Sequence, residues 1–311
     1  MTAIEAVGTY LPPERVPVRE RLREFGFSES QAALYERFYG FSEVRIDPDG
    51  GLADQLVATA GALTALPGQE YRVRYVMHAR TMPVVAPYPL NPLHEACRRL
   101  DLSHSVAFSV SQHACASGLL AVDLAGKLLA DDGDPDALAL VVMGDKSFTA
   151  CARALVWAGV MGESAAAVLV RADGSRDRMR SYVTKTYGRF CAGPWISQDE
   201  FTEFQQMYAG ALAEVIETAV RHAGLTLRDI ALILPHNVNR MSWMRVLRLL
   251  GIQQSSRLYL DNQARLGHCF GSDAFINHES ARSAGRLQPG DHYVMTAVGL
   301  GATFSAMVFT H

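Results

Sequence analysis

Neither a long apolar run nor a surplus of charge of one sign is present in this chain of 311 residues. It carries 29 Lys and Arg against 32 Asp and Glu, so no overall basic field favours nucleic acid as a partner. The longest apolar runs have the length of a strand, far short of the roughly 20 residues that span a bilayer. We therefore expect no binding to nucleic acid and no membrane span.

Cysteine is scarce, and its spacing follows no known framework. The five cysteines are scattered and show no Cys-x-x-Cys pair, which argues against disulfide pairing and against a zinc site. The first residues, MTAIEAVGTYLPPERV, lack the basic and then apolar segments of a secretory signal. These absences predict a cytoplasmic protein with free thiols, no bound metal and no prosthetic group.

Strand-like and helix-like segments alternate along the whole chain. Apolar runs such as Ala137–Gly144 suit strands covered on both faces, and the amphipathic stretch from Asp199 to His222 suits a helix. A short strand is also expected at Leu258–Leu260. The alternation predicts a layered α/β fold. The polar segment Arg171–Arg180 is the best mid-chain boundary, which gives two similar halves, 1–172 and 173–311.

The stretch Val106–Ala130 has the pattern of a reactive cysteine at a strand-to-helix turn. A short apolar strand leads into small residues around Cys115, and a helix follows with Asp123 and Lys127 on its polar side. Unpaired N–H groups and the dipole at a helix start stabilise a thiolate or an oxyanion. The alternative is a buried, inert cysteine.

Two histidines and a glycine turn lie at comparable positions later in the chain. His236 directly follows the apolar run ALILP, and His268 follows RLG. A cysteine with one or two imidazoles is an economical set for thioester chemistry, because the rings move protons and donate to an oxyanion. Gly299-Leu300-Gly301 could bring a backbone N–H close to the sulfur. Each histidine taken alone is also compatible with a structural role in the core.

Four segments in order resemble the β-ketoacyl-ACP synthase III-like branch of the thiolase superfamily. They are AVGTYLPPERV at the start, ACASG, ILPHNVNR, and GRLQPGDHYVMTAVGLGATFSAMVF at the end. The resemblance covers nearly the whole chain. It implies that Cys115 is the acylated nucleophile and His236 a catalytic imidazole. It also implies an oxyanion hole formed by the backbone N–H groups of Cys115 and Gly301.

The chain departs from that family where the third catalytic residue is an asparagine. Here the position is His268, which gives a Cys-His-His set similar to elongating ketoacyl synthases, while synthase III-like acyltransferases also vary there. The tryptophan and arginine that hold CoA's adenine in the family correspond to Leu34 and Phe38. This departure favours an acyl carrier protein as the donor over CoA. Reaction type stays open between acyl transfer and decarboxylative condensation.

The resemblance also points to surface residues. Arg240, Arg245 and Arg248 fall where the family docks its acidic carrier protein, although an ordinary solvated face would read the same way. Tyr88 falls where the family sends an aromatic across a dimer interface into the partner's acyl pocket; a plain loop tyrosine packed in a core is the alternative.

The resemblance as a whole implies a five-layered αβαβα thiolase fold with two similar halves, assembled as a homodimer. The implied activity is an acyltransferase that forms an acyl-Cys115 intermediate from acyl-CoA or acyl-carrier thioesters, in polyketide or fatty-acid-like biosynthesis. A non-catalytic partner subunit or binding protein of the same fold is the alternative, against which the intact Cys115 and His236 argue. Asp145, Lys146 and Glu163 are assigned no role.

Overall fold

The computed structural model describes residues 1–147, 154–155 and 158–311. Its strands and helices alternate as the sequence predicts. The strands are β1 (Ala3–Tyr10), β2 (Glu14–Pro17), β3 (Glu43–Ile46), β4 (Val73–Ala79), β5 (Val106–Val110), β6 (Leu138–Met143), β7 (Ala154–Leu155), β8 (Gly159–Val160), β9 (Ala165–Arg171), β10 (Arg178–Thr186), β11 (Ile230–Leu234), β12 (His292–Gly299) and β13 (Thr303–Thr310). The helices are α1 (Val18–Glu24), α2 (Glu29–Leu34), α3 (Leu52–Gly61), α4 (Pro92–Arg99), α5 (Ser117–Asp132), α6 (Gln198–His222), α7 (Arg240–Leu249), α8 (Gln263–Leu266) and α9 (Asp273–Ser283).

The two halves of the chain repeat one strand order. The first half-sheet runs β5-β4-β6-β9-β1, with β5, β4 and β6 parallel and the other two strands antiparallel. In the second half-sheet, β11 and β12 are parallel, β13 is antiparallel to β12, and β10 is antiparallel to β13. The edge position that β5 occupies in the first half-sheet is taken in the second by a single parallel bridge between Ile233 and Leu258. The half-sheets join through β1 and β10 at the pair Ala3 and Arg178.

Five layers follow from which face each strand residue covers. Neighbouring residues of β9 point to opposite faces, so Val168 packs in the cluster that holds α5 and α9 while Leu169 packs against α3 and α4. In β13, Met307 joins the same central cluster and Val308 packs against α6 and α7. The helices α5 and α9 thus lie between two half-sheets, α3 and α4 cover one outer face, and α6 and α7 cover the other. This is the predicted five-layered arrangement with two similar halves.

Two local expectations are wrong. No strand forms at Leu258–Leu260, where a single bridging residue is all that pairs with β11. Asp123 does not lie on a polar face but is 5% exposed, because α5 is covered on both sides. Lys127 reaches it across one helical turn with an Nζ to Oδ2 distance of 2.7 Å. A buried carboxylate needs such a partner.

Among the described residues, no helix has both the length and the apolarity to cross a bilayer.

Glycine lets three backbone segments approach closely around the strand-to-helix turn. A Cβ on Gly118, in the first turn of α5, would lie 2.6 Å from the carbonyl oxygen of Gly271. A Cβ on Gly299, the last residue of β12, would overlap the carbonyl oxygen of His113. Because no larger residue fits, these glycines fix the distance between the cysteine turn, the end of β12 and the segment before α9.

Gly299→Ala should displace the cysteine turn. We expect it to lower the free energy of unfolding by about 1–3 kcal/mol, as overpacking does in a tight interior, and to slow alkylation of Cys115 by iodoacetamide. Gly210→Ala is the matched control, because a Cβ there meets nothing within 4 Å. On the exposed face of α6 it should stabilise by up to about 1 kcal/mol. Urea unfolding checks both, and equal stability of the two variants would contradict the packing argument.

Candidate active site

The cysteine turn presents one sulfur at the start of a long helix. After β5 the chain forms a 3₁₀ turn, Ala114–Ala116, and α5 begins at the next residue. Ala114 has φ +47°, a left-handed conformation that costs a non-glycine residue roughly 1–2 kcal/mol. The turn is therefore sharp, and Cys115 is held 3% exposed beside the unpaired N–H groups of the helix.

One buried carboxylate joins the two histidine-bearing segments. Asp273, the first residue of α9, accepts the backbone N–H of Asn237 at 2.6 Å and that of Cys269 at 2.7 Å. It also accepts a hydrogen bond from Nδ1 of His268. These three contacts fix the backbone next to His236, the backbone next to His268, and the orientation of the His268 ring. The arrangement leaves Nε2 of His268 directed away from Asp273.

His268 is held in its charged form. Burial is the largest single influence and lowers its pKa, but the charge of Asp273 and then that of the Cys115 sulfur outweigh it, and hydrogen bonds to both groups act in the same direction. Together they raise the pKa of His268 to about 10. Because Nδ1 is bonded to Asp273, the bond to the sulfur uses Nε2. Cys115, His268 and Asp273 therefore have the arrangement that a nucleophile, a base and an orienting carboxylate require.

His236 is held neutral and is paired with a tyrosine. Burial, and then the charge of His268, keep the pKa of His236 well below its ordinary value. The rings of the two histidines lie 6.4 Å apart between centroids. Tyr208, on α6, has its hydroxyl 2.5 Å from Nε2 of His236. Burial raises the pKa of Tyr208, so the hydroxyl keeps its proton and can donate a hydrogen bond to Nε2 when that nitrogen carries no proton.

A second carboxylate acts on the sulfur through a loop. Asp145 accepts the backbone N–H of Thr81 at 2.9 Å, just after β4. The Thr81 hydroxyl in turn donates to Sγ of Cys115 at 3.4 Å. Burial raises the pKa of Asp145 to about 7, against the lowering effect of the backbone N–H groups that it accepts. Asp145 thus positions a hydrogen-bond donor for the nucleophile.

These groups line one cavity of about 400 Å³. Cys115, His236, His268 and Tyr208 lie on one side of it. The remainder is largely apolar and comes from the segment that opens α6 and from the end of β12: Ile196, Phe201, Phe204, Val298 and Leu300. Ser197 starts α6 with a capping box, its hydroxyl accepting the Glu200 N–H at 3.2 Å. This cap fixes the cavity rim.

The structure brings Cys115, His236 and His268 together in this cavity. Gly301 lies in the turn after β12. Its neighbours Gly299 and Leu300 line the cavity, whereas Gly301 is not among the lining residues. Tyr88 is 99% exposed on the loop between β4 and α4 and does not line the cavity. The roles of all five residues stay predictions.

The other residues singled out by sequence lie at two places. Arg240, Arg245 and Arg248 are all exposed on α7. Lys146 and Glu163, which received no role, form a buried ion pair with an Nζ to Oε2 distance of 2.6 Å. Sequence reasoning missed three residues of the site. Asp273 had the signal of an acidic residue five positions after His268 at a helix start, whereas Thr81 and Tyr208 carried none.

The family model and the curated relative that match this chain both describe acyl-carrier-protein synthases. Residues 220–311 match a family model described as the C-terminal part of 3-oxoacyl-[acyl-carrier-protein] synthase III. A curated 3-oxopimeloyl-[acyl-carrier-protein] synthase from Rhodothermus marinus is 27% identical over 339 aligned residues, 98% of this chain and 92% of that protein.

Solved structures agree in fold over the full length. The acyltransferase ChlB3 superposes with a TM-score of 0.86 at 22% identity, covering 99% of this chain and 97% of that one. A β-ketoacyl-[acyl carrier protein] synthase III from Thermus thermophilus gives a TM-score of 0.82 at 21% identity, covering 99% of both chains. The predicted thiolase fold is confirmed.

Asp273→Asn should lower the pKa of His268, because it removes the largest group that raises it. A raised pKa means that the protonated ring stabilises the fold fully below about pH 6.5, and that this contribution is lost as pH rises through about 10. NMR titration of the histidine rings should show wild-type His268 still protonated at pH 8.5, and the variant ring neutral. The exposed Asp261→Asn is the control. An unchanged titration in Asp273→Asn would exclude the assigned orientation.

Proposed function

We propose that the chain is a β-ketoacyl-ACP synthase III-like enzyme of the thiolase superfamily and that it transfers an acyl group from a thioester to an oxygen or nitrogen acceptor. The observation that carries the proposal is the buried set Cys115, His268 and Asp273. It is a nucleophile with an oriented base, which acyl transfer to a hydroxyl or amine requires.

In the first half-reaction the Cys115 thiolate attacks the thioester carbonyl. The negative charge moves to the carbonyl oxygen, which the backbone N–H groups of Cys115 and Gly301 hold. Collapse expels the donor's thiolate, which takes the proton from Nε2 of His268. The products are acyl-Cys115, the free donor thiol and a neutral His268. Acylation removes the sulfur charge that helped to raise the pKa of His268, so the ring gives up its proton when it is needed.

In the second half-reaction neutral His268 acts as the base. Its Nε2 removes the proton of the acceptor's hydroxyl or amine while the oxygen or nitrogen attacks the thioester carbon. Collapse expels the Cys115 thiolate beside the reformed imidazolium, and the ester or amide leaves. Asp273 keeps Nδ1 protonated and the ring in place throughout both steps.

The hydrogen bond between Tyr208 and His236 favours transfer over condensation. Decarboxylation of a malonyl unit leaves an enolate oxygen that two N–H donors must stabilise. Where the Tyr208 hydroxyl donates to Nε2 of His236, that nitrogen carries no proton and cannot itself donate a hydrogen bond. The second donor is therefore lacking, while the base needed for transfer is present.

A carrier-bound donor fits the surface next to the site. A second pocket of about 240 Å³ lies beside α7 and is lined by Arg245 and by Tyr208, which also lines the catalytic cavity. We propose that Arg240, Arg245 and Arg248 dock an acidic carrier protein and that its pantetheine arm enters here. Leu34 and Phe38, which are exposed, replace the CoA-binding pair of the family.

The acyl chain and the assembly complete the proposal. The apolar cavity walls suit a hydrocarbon acyl group. An exposed loop carries Tyr88 together with Val84 and Leu90, which are 77% and 66% exposed, and such an apolar surface suits an interface. We propose a cytoplasmic homodimer in which Tyr88 reaches the partner subunit. The pathway is a specialised polyketide or fatty-acid-like biosynthesis.

Intact-protein mass spectrometry with acyl-CoA and acyl-carrier thioesters tests the mechanism. We expect a mass gain of one acyl group that is lost in Cys115→Ala and kept in Cys191→Ala, since Cys191 is an exposed thiol outside the site. Adding hydroxyl or amine acceptors should discharge the adduct, and Asp273→Asn should slow the discharge at least about 100-fold. Arg245→Glu should slow loading from the carrier and not from a small thioester. The exposed Arg228→Glu is its control.

Two results would overturn the proposal. Release of CO₂ from malonyl-carrier by the acylated enzyme, with no ester or amide formed, would establish condensation. Absence of any adduct with every donor would establish the non-catalytic subunit of the same fold.

Tyr208→Phe tests why the site favours transfer. Without the hydroxyl, Nε2 of His236 is free to carry a proton toward the cavity, so we expect release of CO₂ from malonyl thioesters to rise above the wild-type background. Transfer should fall by less than about tenfold, the worth of one ordinary hydrogen bond. Tyr39→Phe is the control, since Tyr39 lines only the second pocket. Unchanged rates of both reactions in Tyr208→Phe would refute this role.

A further inference from the structure

A group of ligating side chains lies away from the catalytic cavity, where the two half-sheets join. Asp177 precedes β10, His278 lies on α9 and His311 follows β13. Their three ligand atoms all lie within 4.8 Å of one another. The backbone carbonyl of Asp177 also accepts the N–H of Ile4 at 3.0 Å, so the group sits beside the pair that connects β1 to β10.

The carboxylate is the centre of this group. Oδ1 of Asp177 is 2.7 Å from Nδ1 of His311 and 3.4 Å from Nε2 of His278. It also accepts the hydroxyl of Tyr293 at 2.9 Å. On its other oxygen, Oδ2, the nearest cation is Arg176 at 3.7 Å. The cluster thus has two imidazoles, one carboxylate and a tyrosine that orients the carboxylate.

Hydrogen bonding inside the protein leaves this cluster incomplete. The His278 side chain is 2% exposed, yet neither of its ring nitrogens has a partner with hydrogen-bond geometry among the described residues. A buried imidazole with unpaired nitrogens is costly. A cation between Nε2 and Asp177 would remove part of that cost.

Oδ1 of Asp177 lies close to the separations from both imidazoles that a tetrahedral metal ion requires. With zinc-to-ligand distances of about 2.0–2.1 Å, neighbouring ligands lie about 3.3 Å apart. The contact of His278 with Asp177 has this length already. His311 needs to withdraw from Asp177 by about half an ångström. The two imidazoles, whose ligand atoms lie within 4.8 Å of each other, need to close on the ion. Two imidazoles and one carboxylate form a set that zinc accepts.

We propose that Asp177, His278 and His311 bind one zinc ion, with water as the fourth ligand. The ion fastens α9 and the end of β13 to the junction of the half-sheets. It plays no part in acyl transfer, because none of its ligands lines the catalytic cavity. The prediction of no metal rested on the absence of closely spaced ligand pairs. The ligands of this site are instead 101 and 33 residues apart in the sequence (177 to 278, and 278 to 311).

The test uses the full-length chain carrying Cys115→Ala, so that zinc on the catalytic thiol is not counted. After treatment with EDTA and readdition of ZnCl₂, we expect one zinc per chain by inductively coupled plasma mass spectrometry. Saturating zinc should raise Tm by at least about 3 °C, as a ligand specific to the folded state does. Cobalt in place of zinc should give d–d bands without a thiolate charge-transfer band.

Variants locate the ion. His311→Ala and His278→Gln should both lose the zinc and the rise in Tm, whereas the exposed His222→Ala should keep them. His311 lies beyond β13, outside the sheet, so its variant stays informative if the buried His278→Gln does not fold. Less than about 0.1 zinc per chain with no change in Tm, or full zinc binding by His311→Ala, would overturn the proposal.

Discussion

The geometry of the candidate active site depends on one buried carboxylate. Asp273 accepts two backbone N–H groups and one imidazole N–H, from segments that are 36 and 5 residues away in the sequence. Each contact alone is an ordinary charge-assisted hydrogen bond. Together they place both histidine-bearing segments in one frame and give His268 its charge. A buried carboxylate without such donors would be unstable. The segments that donate to Asp273 must therefore be in place when this region folds.

Close contacts between backbone segments fix the position of Cys115 relative to the segments that Asp273 holds. The Asp273 frame belongs to the second half of the chain and the cysteine turn to the first, and Gly118 and Gly299 are the places where the two touch. Backbone contacts of this kind have little freedom to adjust. Distances among Cys115, His268 and the end of β12 are therefore set by packing before any substrate arrives, which is the condition for electrostatic stabilisation of a transition state.

Much of this could be predicted from the sequence, and the remainder shows where sequence patterns stop being informative. The strand ends before Cys115 and His236 are visible in the apolar runs that precede them, and the order of four motifs identified the fold. Tyr208 was out of reach because it lies in the middle of a long helix and meets His236 only through packing of α6 on the second half-sheet. The position of Asp273 next to His268 depends on a turn at Phe270, which has a left-handed φ of +54°. The sequence does not show this turn. Asp123 was misplaced because an amphipathic pattern assumes a solvated face, and α5 lies between two half-sheets.

The position of the last strand has a consequence for how the protein comes into being during synthesis. β13 pairs with β12 on one side and with β10 on the other, so the second half-sheet cannot close until Thr303–Thr310 has left the ribosome. The strand and turn that carry Cys115 are made long before. A nascent chain therefore carries Cys115 without His268 while residues 116–267 are made. The cavity that both halves of the chain line is complete only after Val298, Gly299 and Leu300 have been made.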